Sequence, residues 1–327
     1  MPAVELRTAG LPPTGRVARA LMERTTPFLE RAGLDVRTLR WHVVQSARAR
    51  TAIRRALAAS PVDVVHVHTH SVGLALGRIA RNVPVTLSVD AAVGDWWGMP
   101  AWRPRRRWAE LEILPSRLLE RRAFARAALV FAWTAWTRRA VEQTAPGAAV
   151  VEHHPGIDLE RYAPAERRPR ARPRVLFVGG RFKEKGGEDL IAALGDLLGR
   201  EVDLDVVTPA AVPERPGMTV HRLHPGDPRL LDLQQQADVF CLPSHGDAVP
   251  WAVLEAMACG TPVVATTVGG ISDLLEAGRA GVLVRHGDVR GLREAVRGLL
   301  ASPERRAQLA DAARRRCEQH YEARRQA

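Results

Sequence analysis

Lysine, cysteine and tyrosine are scarce in this 327-residue chain, and each scarcity narrows what it can be. Only Lys183 and Lys185 stand against 46 arginines, and there are three cysteines and two tyrosines. Cys241, Cys259 and Cys317 lie far apart, with no C-x-x-C and no histidine at ligand spacing. That pattern excludes a disulfide framework or a zinc finger and predicts a cytoplasmic chain. No basic segment leads into an apolar one at the start, so no signal peptide is expected. The strongest uncharged apolar run, residues 127–136, is about half of what a bilayer span requires. No G-x-G-x-x-G follows any apolar run, which argues against a nicotinamide dehydrogenase.

What is present describes a folded α/β protein. Hydrophobic residues make up 46% and charged residues 26%, with 26 Gly and 23 Pro, a balance foreign to disordered, collagenous or coiled-coil chains. The length predicts two domains, each burying its own core. Net charge is +12, unevenly spread. Residues 1–164 hold 24 basic and 14 acidic groups, residues 165–174 ("AERRPRARPR") five Arg against one Glu, and the rest is slightly acidic. A nucleic-acid binder would carry its basic residues as a continuous footprint with aromatics between them, so no nucleic-acid partner is expected. The arginine-rich segment Arg103–Arg126, with Trp, Leu and Ile interspersed, reads first as a solvated helix over the sheet, with a weak peripheral contact to an anionic membrane as the alternative.

Apolar runs and helical stretches alternate along the chain. In the first half, strands are expected at "AVEL", at "DVRTLRW" (35–41), and over 62–70, 83–90 and 128–133, with helices over 16–32 (ending at Gly33) and 46–59. After the Pro/Arg linker, strands are expected over 174–180, 202–209, 218–224, 237–244, 261–266 and 281–286. Helices are expected over 187–199, 229–236, 250–258, 271–277, 288–301 and 303–320. Alternation of this kind argues for βαβ units and parallel sheets. Two doubly wound Rossmann-like domains, 1–164 and 165–327, facing across a cleft, are the simplest architecture, with ligand at the carboxyl ends of the strands.

Two constellations point to chemistry. In "VLFVGGRFKEKGGEDL" a buried strand ends at Gly179-Gly180, a cationic loop carries Arg181 and Lys185, and Gly186-Gly187 opens a helix. Glycines admit close backbone approach, a helix N-terminus offers N–H groups to an anion, and two cations suit a diphosphate. In "PSHGDAVPWAVLEAMACGTPVVAT", Asp247 stands at a helix mouth and Glu255 eight residues on, inside an otherwise apolar helix. A carboxylate there is costly unless hydrogen-bonded, and a carboxylate pair accepts from sugar hydroxyls. A plain strand–turn–helix with solvated charges, and a capping Asp with a surface Glu, are the alternative readings.

Residues 151–300 resemble the retaining GT-B glycosyltransferases of family 4. The resemblance rests on "HHPGIDLERYAP" (153–164), "VGGRFKEKGG" (178–187) and "SHGDAVPWAVLEAMACGTPVVAT" (244–266), the last similar to the family's Glu-x7-Glu motif. It implies retaining transfer of a hexose from a nucleotide-diphosphate sugar to a glycan, lipid or small-molecule acceptor, with no metal and no cofactor beyond the nucleotide sugar. Asp247, Glu255, Arg181 and Lys185 would be catalytic. Donor binding would fall to Gly179, Gly180, Arg181, Lys185, Asp247, Ala248, Val249, Pro250 and Glu255. Within this, Glu255 would take the ribose hydroxyls, Asp247 the transferred sugar, and Arg181 with Lys185 the diphosphate. Three of the chain's departures from the pattern concern the site itself. Asp247 replaces the usual Glu, the turn from Arg181 to Lys185 is one residue short, and Ser88 and Asp90 stand where a first-domain strand usually ends in His. Asp90 is the expected stand-in, with His68 and His70 beside it on the acceptor side. A nucleotide-sugar epimerase, a phosphorylase or a non-catalytic subunit would share the same plan. Two other signals are discounted: "DLD" (203–205) lies inside a predicted strand, and His66, His68 and His70, expected on one strand face, lack a nearby carboxylate in sequence.

Overall fold

The computed structural model describes residues 5–11, 13–24, 28, 36–77, 79, 82–102 and 109–326. The chain divides into two compact units: Met1–Gly98 with Arg103–Glu152, and Met99–Trp102 with His153–Ala327.

The first unit is built on a parallel sheet of β1 (Val65–His68), β2 (Val85–Val89), β3 (Leu129–Ala132) and β4 (Val150–Glu152), in that order. Val67, Val85, Leu87, Val89 and Val130 form its core with Phe124 and Val141. Around it lie α1 (Arg16–Glu23), α2 (Arg37–Ala59), α3 (Val93–Gly98), α4 (Ala109–Arg126) and α5 (Ala135–Thr144). Of the strand expected over 35–41, residues 37–41 instead begin α2, and residue 35 lies outside the described residues. His42, Ser46 and Ala49 are buried and Ile53 and Leu57 pack on the core, so an inward row at helical spacing overrides the short alternation at its head. "AVEL" and the end of the helix expected over 16–32 fall mostly outside the described residues, as do 103–108; Glu5 and Leu6 are not in a strand.

The second unit carries a six-stranded parallel sheet ordered β10-β9-β8-β5-β6-β7. Its strands are β5 (Arg174–Val178), β6 (Asp203–Val207), β7 (Met218–His221), β8 (Val239–Leu242), β9 (Val263–Thr266) and β10 (Val282–Val284). Each falls inside its expected range. Strands buried on both faces read as unbroken apolar runs, and every residue of β8 and β9 is buried. The helices are α6 (Gly187–Leu194), α7 (Pro228–Gln236), α8 (Trp251–Ala258), α9 (Ile271–Leu274), α10 (Val289–Ala301), α11 (Pro303–His320) and α12 (Ala323–Gln326). Asp227, Asp288 and Ser302 cap α7, α10 and α11 through their side chains. The chain runs outward from β5 through β6 and β7, then returns to β8 on the other side of β5. That reversal makes a switch point where the loops after β5 and β8 diverge.

Residues 153–174 belong to this second unit. Ile157 N–H bonds the Tyr321 carbonyl at 2.6 Å, and Arg314 bonds the Tyr162 carbonyl at 2.8 Å. The linker arginines are fastened as well: Arg170 bonds the Gln236 carbonyl at 2.8 Å and Arg172 pairs with Asp203 at 3.0 Å.

Candidate functional site

The switch point of the six-stranded sheet gathers most of the residues singled out by sequence. After β5, Gly179 N–H bonds the Val207 carbonyl at 3.0 Å, and Arg181 to Gly186 form a tight turn closed by Lys185 N–H on the Arg181 carbonyl at 2.9 Å. Gly186 is left-handed, with φ 77°, and a Cβ there would overlap the Pro243 carbonyl, so only glycine brings this turn against the end of β8. The loop after β8 is tied to it: His245 N–H bonds the Glu184 carbonyl at 2.9 Å, and His245 Nε2 stands 3.1 Å from Asp189 Oδ2 on α6. Ser244 Oγ donates to the Gly246 carbonyl at 2.9 Å, and Thr266 Oγ1 from β9 donates to the Ser244 carbonyl at 2.6 Å. Gly270 N–H bonds the Ala248 carbonyl at 2.9 Å.

The charges sit on this frame. Lys185 Nζ is paired directly with Asp247 Oδ2; the aspartate side chain is 8% exposed and the lysine 22%. Asp247 is therefore no helix cap: Pro250 occupies the N-cap of α8 without a side-chain bond. Ala248 and Val249 are buried between Asp247 and that helix start. Arg181 is exposed, its guanidinium carbon 4.5 Å from the centre of the Trp102 ring. Gly180 faces open space. The N-termini of α6 and α8 both open at these loops.

Glu255, on the second turn of α8, is held elsewhere. Tyr162 Oη donates to its Oε1 at 3.0 Å and Gln234 Nε2 donates to its Oε2 at 2.8 Å. Burial pushes its carboxyl above the usual carboxylate range, against the pull of the Tyr162 bond, the Arg161 charge and the Gln234 bond. Contacts thus join Arg181, Lys185 and Asp247 in one cluster through their two loops and Trp102, while Glu255 is positioned by its own two donors. Neither Tyr162 nor Gln234 was singled out by sequence, although Tyr162 lies in the quoted "GIDLERYAP". Trp102, 79 residues before Arg181, was not among the site candidates read from the sequence.

In the first unit, Asp90 follows β2; its carboxylate accepts from Ala91 N–H at 2.9 Å, and its carbonyl accepts from Thr137 Oγ1 at 2.6 Å. His68 ends β1 exposed, its ring 5.4 Å from that of Trp133. His70 does not share the strand face expected for it. Thr69, at φ 71°, breaks the strand, and His70 enters a short 3₁₀ turn, buried, with Nε2 2.7 Å from Glu120 Oε1. Its carboxylate partner comes from α4, fifty residues on. In "DLD", Asp205 is buried on β6 between His221 Nε2 at 2.7 Å and Arg174 at 3.1 Å, a structural arrangement. Among the described residues no group of three or more His, Cys, Asp or Glu is set to hold a metal, and no helix is long and apolar enough to cross a membrane.

The chain resembles known glycosyltransferases in sequence and in fold. Residues 12–161 match the model for "Glycosyltransferase Family 4" and residues 172–302 that for "Glycosyl transferases group 1". D-inositol 3-phosphate glycosyltransferase 2 of Catenulispora acidiphila is 33% identical over 183 residues, 47% of this chain and 43% of that protein. The glycogen synthase of Mycobacterium tuberculosis is 36% identical over 174 residues, 49% of this chain and 42% of that protein. The chain thus spans less than half the length of these two curated relatives. Alpha-maltose-1-phosphate synthase of Mycolicibacterium smegmatis is 29% identical over 304 residues, covering 80% of this chain and 76% of that protein. Among solved structures, sucrose-phosphate synthase from Thermosynechococcus elongatus superposes with a TM-score of 0.75 at 18% identity, over 87% of this chain and 76% of that one. Anabaena HepE in complex with UDP and glucose gives 0.68 at 18% identity, over 84% and 78%. The fold is GT-B.

Proposed function

Because the chain belongs to the family 4, group 1 glycosyltransferases, we propose that it moves a hexose from a nucleotide-diphosphate sugar to a glycan, lipid or small-molecule acceptor, with retention of configuration and without a metal ion. The nucleotide sugar is a co-substrate, and no other cofactor enters the reading. The observation that carries it is the switch point itself. Two loops locked together there present Arg181, Lys185 and two helix N-termini, with Asp247 held beside them by Lys185. HepE, of the same fold, is seen with UDP and glucose.

The chemistry follows from where charge develops. Breaking the bond between the anomeric carbon and the diphosphate oxygen leaves negative charge on the departing group. The guanidinium of Arg181, the ammonium of Lys185 and the N–H groups at the starts of α6 and α8 suit that charge without reorganising. The acceptor hydroxyl attacks the same face of the sugar, and its proton passes to the departing phosphate oxygen. Asp247 accepts from the hexose hydroxyls. Glu255 receives the ribose, since a carboxylate with two bonds filled keeps acceptor capacity for two more. Gly179, Gly180 and the backbone of Ala248, Val249 and Pro250 supply close approach. On the acceptor side the reading retains Asp90 and His68, at the carboxyl ends of the paired strands β2 and β1. His70 is consumed by Glu120. A thermal-shift series with UDP, GDP and ADP tests the site; no stabilisation by any of them overturns it. NMR of the product in EDTA tests the rest: an epimerised sugar formed without acceptor would favour an epimerase, and an inverted anomer would refute retention.

The reading keeps a cytoplasmic location, and a surface observation favours a lipid or membrane-borne acceptor met at the membrane periphery. Helix α4 is inside out. Glu112, Ser116 and Glu120 face inward with Ile113 and Phe124, while Leu111, Leu114 and Leu118 are 55%, 48% and 47% exposed beside Arg117, Arg121 and Arg122. Exposed leucines ringed by arginines suit the interface of an anionic bilayer, each charge adding about 1 kcal/mol. Sedimentation with phosphatidylglycerol vesicles at low salt should retain the protein, and Leu111→Ser/Leu114→Ser/Leu118→Ser should release it. Failure to sediment at low salt refutes the membrane contact.

A further inference from the structure

Residues 99–102 sit in the sequence between α3 and α4 of the first unit, yet they are built into the second. Met99 is buried, with its methyl group beside Gly269. Ala101 N–H bonds the His245 carbonyl at 3.1 Å, and Trp102 N–H turns back onto the Met99 carbonyl at 3.0 Å. This short strap sets the Trp102 indole against Gly246, where a Cβ would come within 2.6 Å of the indole nitrogen. The ring also meets Arg181, whose guanidinium carbon is 4.5 Å from its centre. The Arg181 guanidinium forms no hydrogen bond and no ion pair among the described residues, and the indole is the ring contact that orients it there.

We propose that Trp102 is a positioning residue of the donor site, holding the Arg181 guanidinium by its face so that the in-plane N–H fork is presented to the donor's diphosphate. The inference rests on the reading that the 181–187 loop takes that diphosphate. The physical basis is the shape of the cation. A guanidinium attracts an aromatic ring through its flat face, whereas its five donors lie in the plane and bind phosphate oxygens edge-on. Stacking and phosphate binding therefore use different surfaces of one group and do not compete. A long side chain confined by the ring gives up less rotamer freedom when the ligand arrives. Gly246 is part of the same device, because any side chain there would displace the indole.

The test compares a nucleoside diphosphate with its nucleoside. Whichever of UDP, GDP and ADP binds the wild type is titrated by calorimetry beside the matching nucleoside, which lacks the diphosphate. Trp102→Ala should weaken the diphosphate about tenfold, the scale of a desolvated cation–π contact, while leaving nucleoside affinity unchanged. Trp102→Phe, which keeps a ring, should recover most of the loss, and Gly246→Ala should reproduce it with Trp102 present. In an Arg181→Ala background, Trp102→Ala should have no further effect. Equal weakening of diphosphate and nucleoside, undiminished loss in the Arg181→Ala background, or unchanged diphosphate binding in Trp102→Ala overturns the proposal. If the wild type binds no nucleoside diphosphate, the donor-site reading falls, and this inference with it. A wild type that binds while Trp102→Ala matches it removes the inference alone.

Discussion

Lys185 has two jobs in this reading, and a pair of variants separates them. Its ammonium neutralises Asp247, which is almost fully enclosed, and it also waits for the donor's diphosphate. At contact distance, about 3 Å, and an effective dielectric constant near 20, the gross attraction is about 5 kcal/mol. Breaking a buried pair by removing one partner costs about 3–5 kcal/mol because the other charge is left stranded. With the lysine about a fifth exposed, solvent screens part of this, and about 2 kcal/mol is the expected loss for Lys185→Ala. For a domain of this size that is a fall of roughly 4–8 °C in the unfolding midpoint, read by circular dichroism. Asp247→Asn should cost less, since a lone ammonium with partial access to water is easily hydrated. The double variant Lys185→Ala/Asp247→Asn should regain most of the midpoint lost by Lys185→Ala. Ligand binding should behave differently. Lys185→Ala should weaken UDP or its GDP or ADP counterpart by roughly 10- to 100-fold, the scale of a lost hydrogen bond between charged groups. Asp247→Asn should bind it at least as tightly as wild type, because the nucleotide has no hexose and the lysine no longer has a competing anion. The double variant should remain weak. If instead it recovered both the midpoint and the nucleotide affinity, the lysine would serve only to neutralise Asp247, and its assignment to the diphosphate would be wrong.

Other consequences are as direct. Tyr162→Phe deletes the hydroxyl on Glu255 Oε1 and should destabilise the second unit by about 1.5–3 kcal/mol, the range for a hydrogen bond to a charged group, measured by thermal unfolding. An unchanged midpoint would show that Gln234 alone satisfies the carboxylate. Asp95 is pushed up to about 6, mainly by burial, with the Glu120 charge adding to it. An acid whose folded value lies above its unfolded one binds more protons when folded. Its contribution is therefore intact below about pH 4 and lost as pH rises through about 6. Asp95→Asn should raise the unfolding midpoint relative to wild type at pH 8 and have little effect at pH 4; a pH-independent difference would contradict this. Gly186→Ala should cost more than 1 kcal/mol, from the left-handed backbone and the overlap with the Pro243 carbonyl, and should also weaken nucleotide binding, since the Lys185 turn moves with it. Normal nucleotide affinity in that variant would show that the two loops need not touch.

The second unit was legible because its physics is local. Strands such as Val239–Leu242 and Val263–Thr266 are buried on both faces and so are written as apolar runs, and a glycine that must turn left-handed, such as Gly186, announces the turn it makes. Arg181, Lys185 and Asp247 came together as their strand-end positions implied, because parallel topology brings the carboxyl ends of neighbouring strands to one edge. The first unit was harder to read. The segment 37–59 opens with a strand-like alternation, and only the inward row from His42 to Leu57, decided by what it packs against, makes it a helix. A helix that buries Glu112 and Glu120 and exposes three leucines defies any reading by amphipathic pattern, because partners for the buried acids come from elsewhere in the chain, as His70 does for Glu120.

Local order of apolar and polar residues, together with backbone freedom at particular glycines, was enough to determine the parallel sheets and the identity of the charged cluster; the strand order that makes the switch point came from the fold. Four pairings were decided only by the tertiary structure: Tyr162 and Gln234 each on Glu255, Glu120 on His70, and Trp102 on Arg181. Each joins residues more than twenty positions apart. The energy of such a contact depends on a distance that no stretch of sequence contains and that exists only once the sheet has folded.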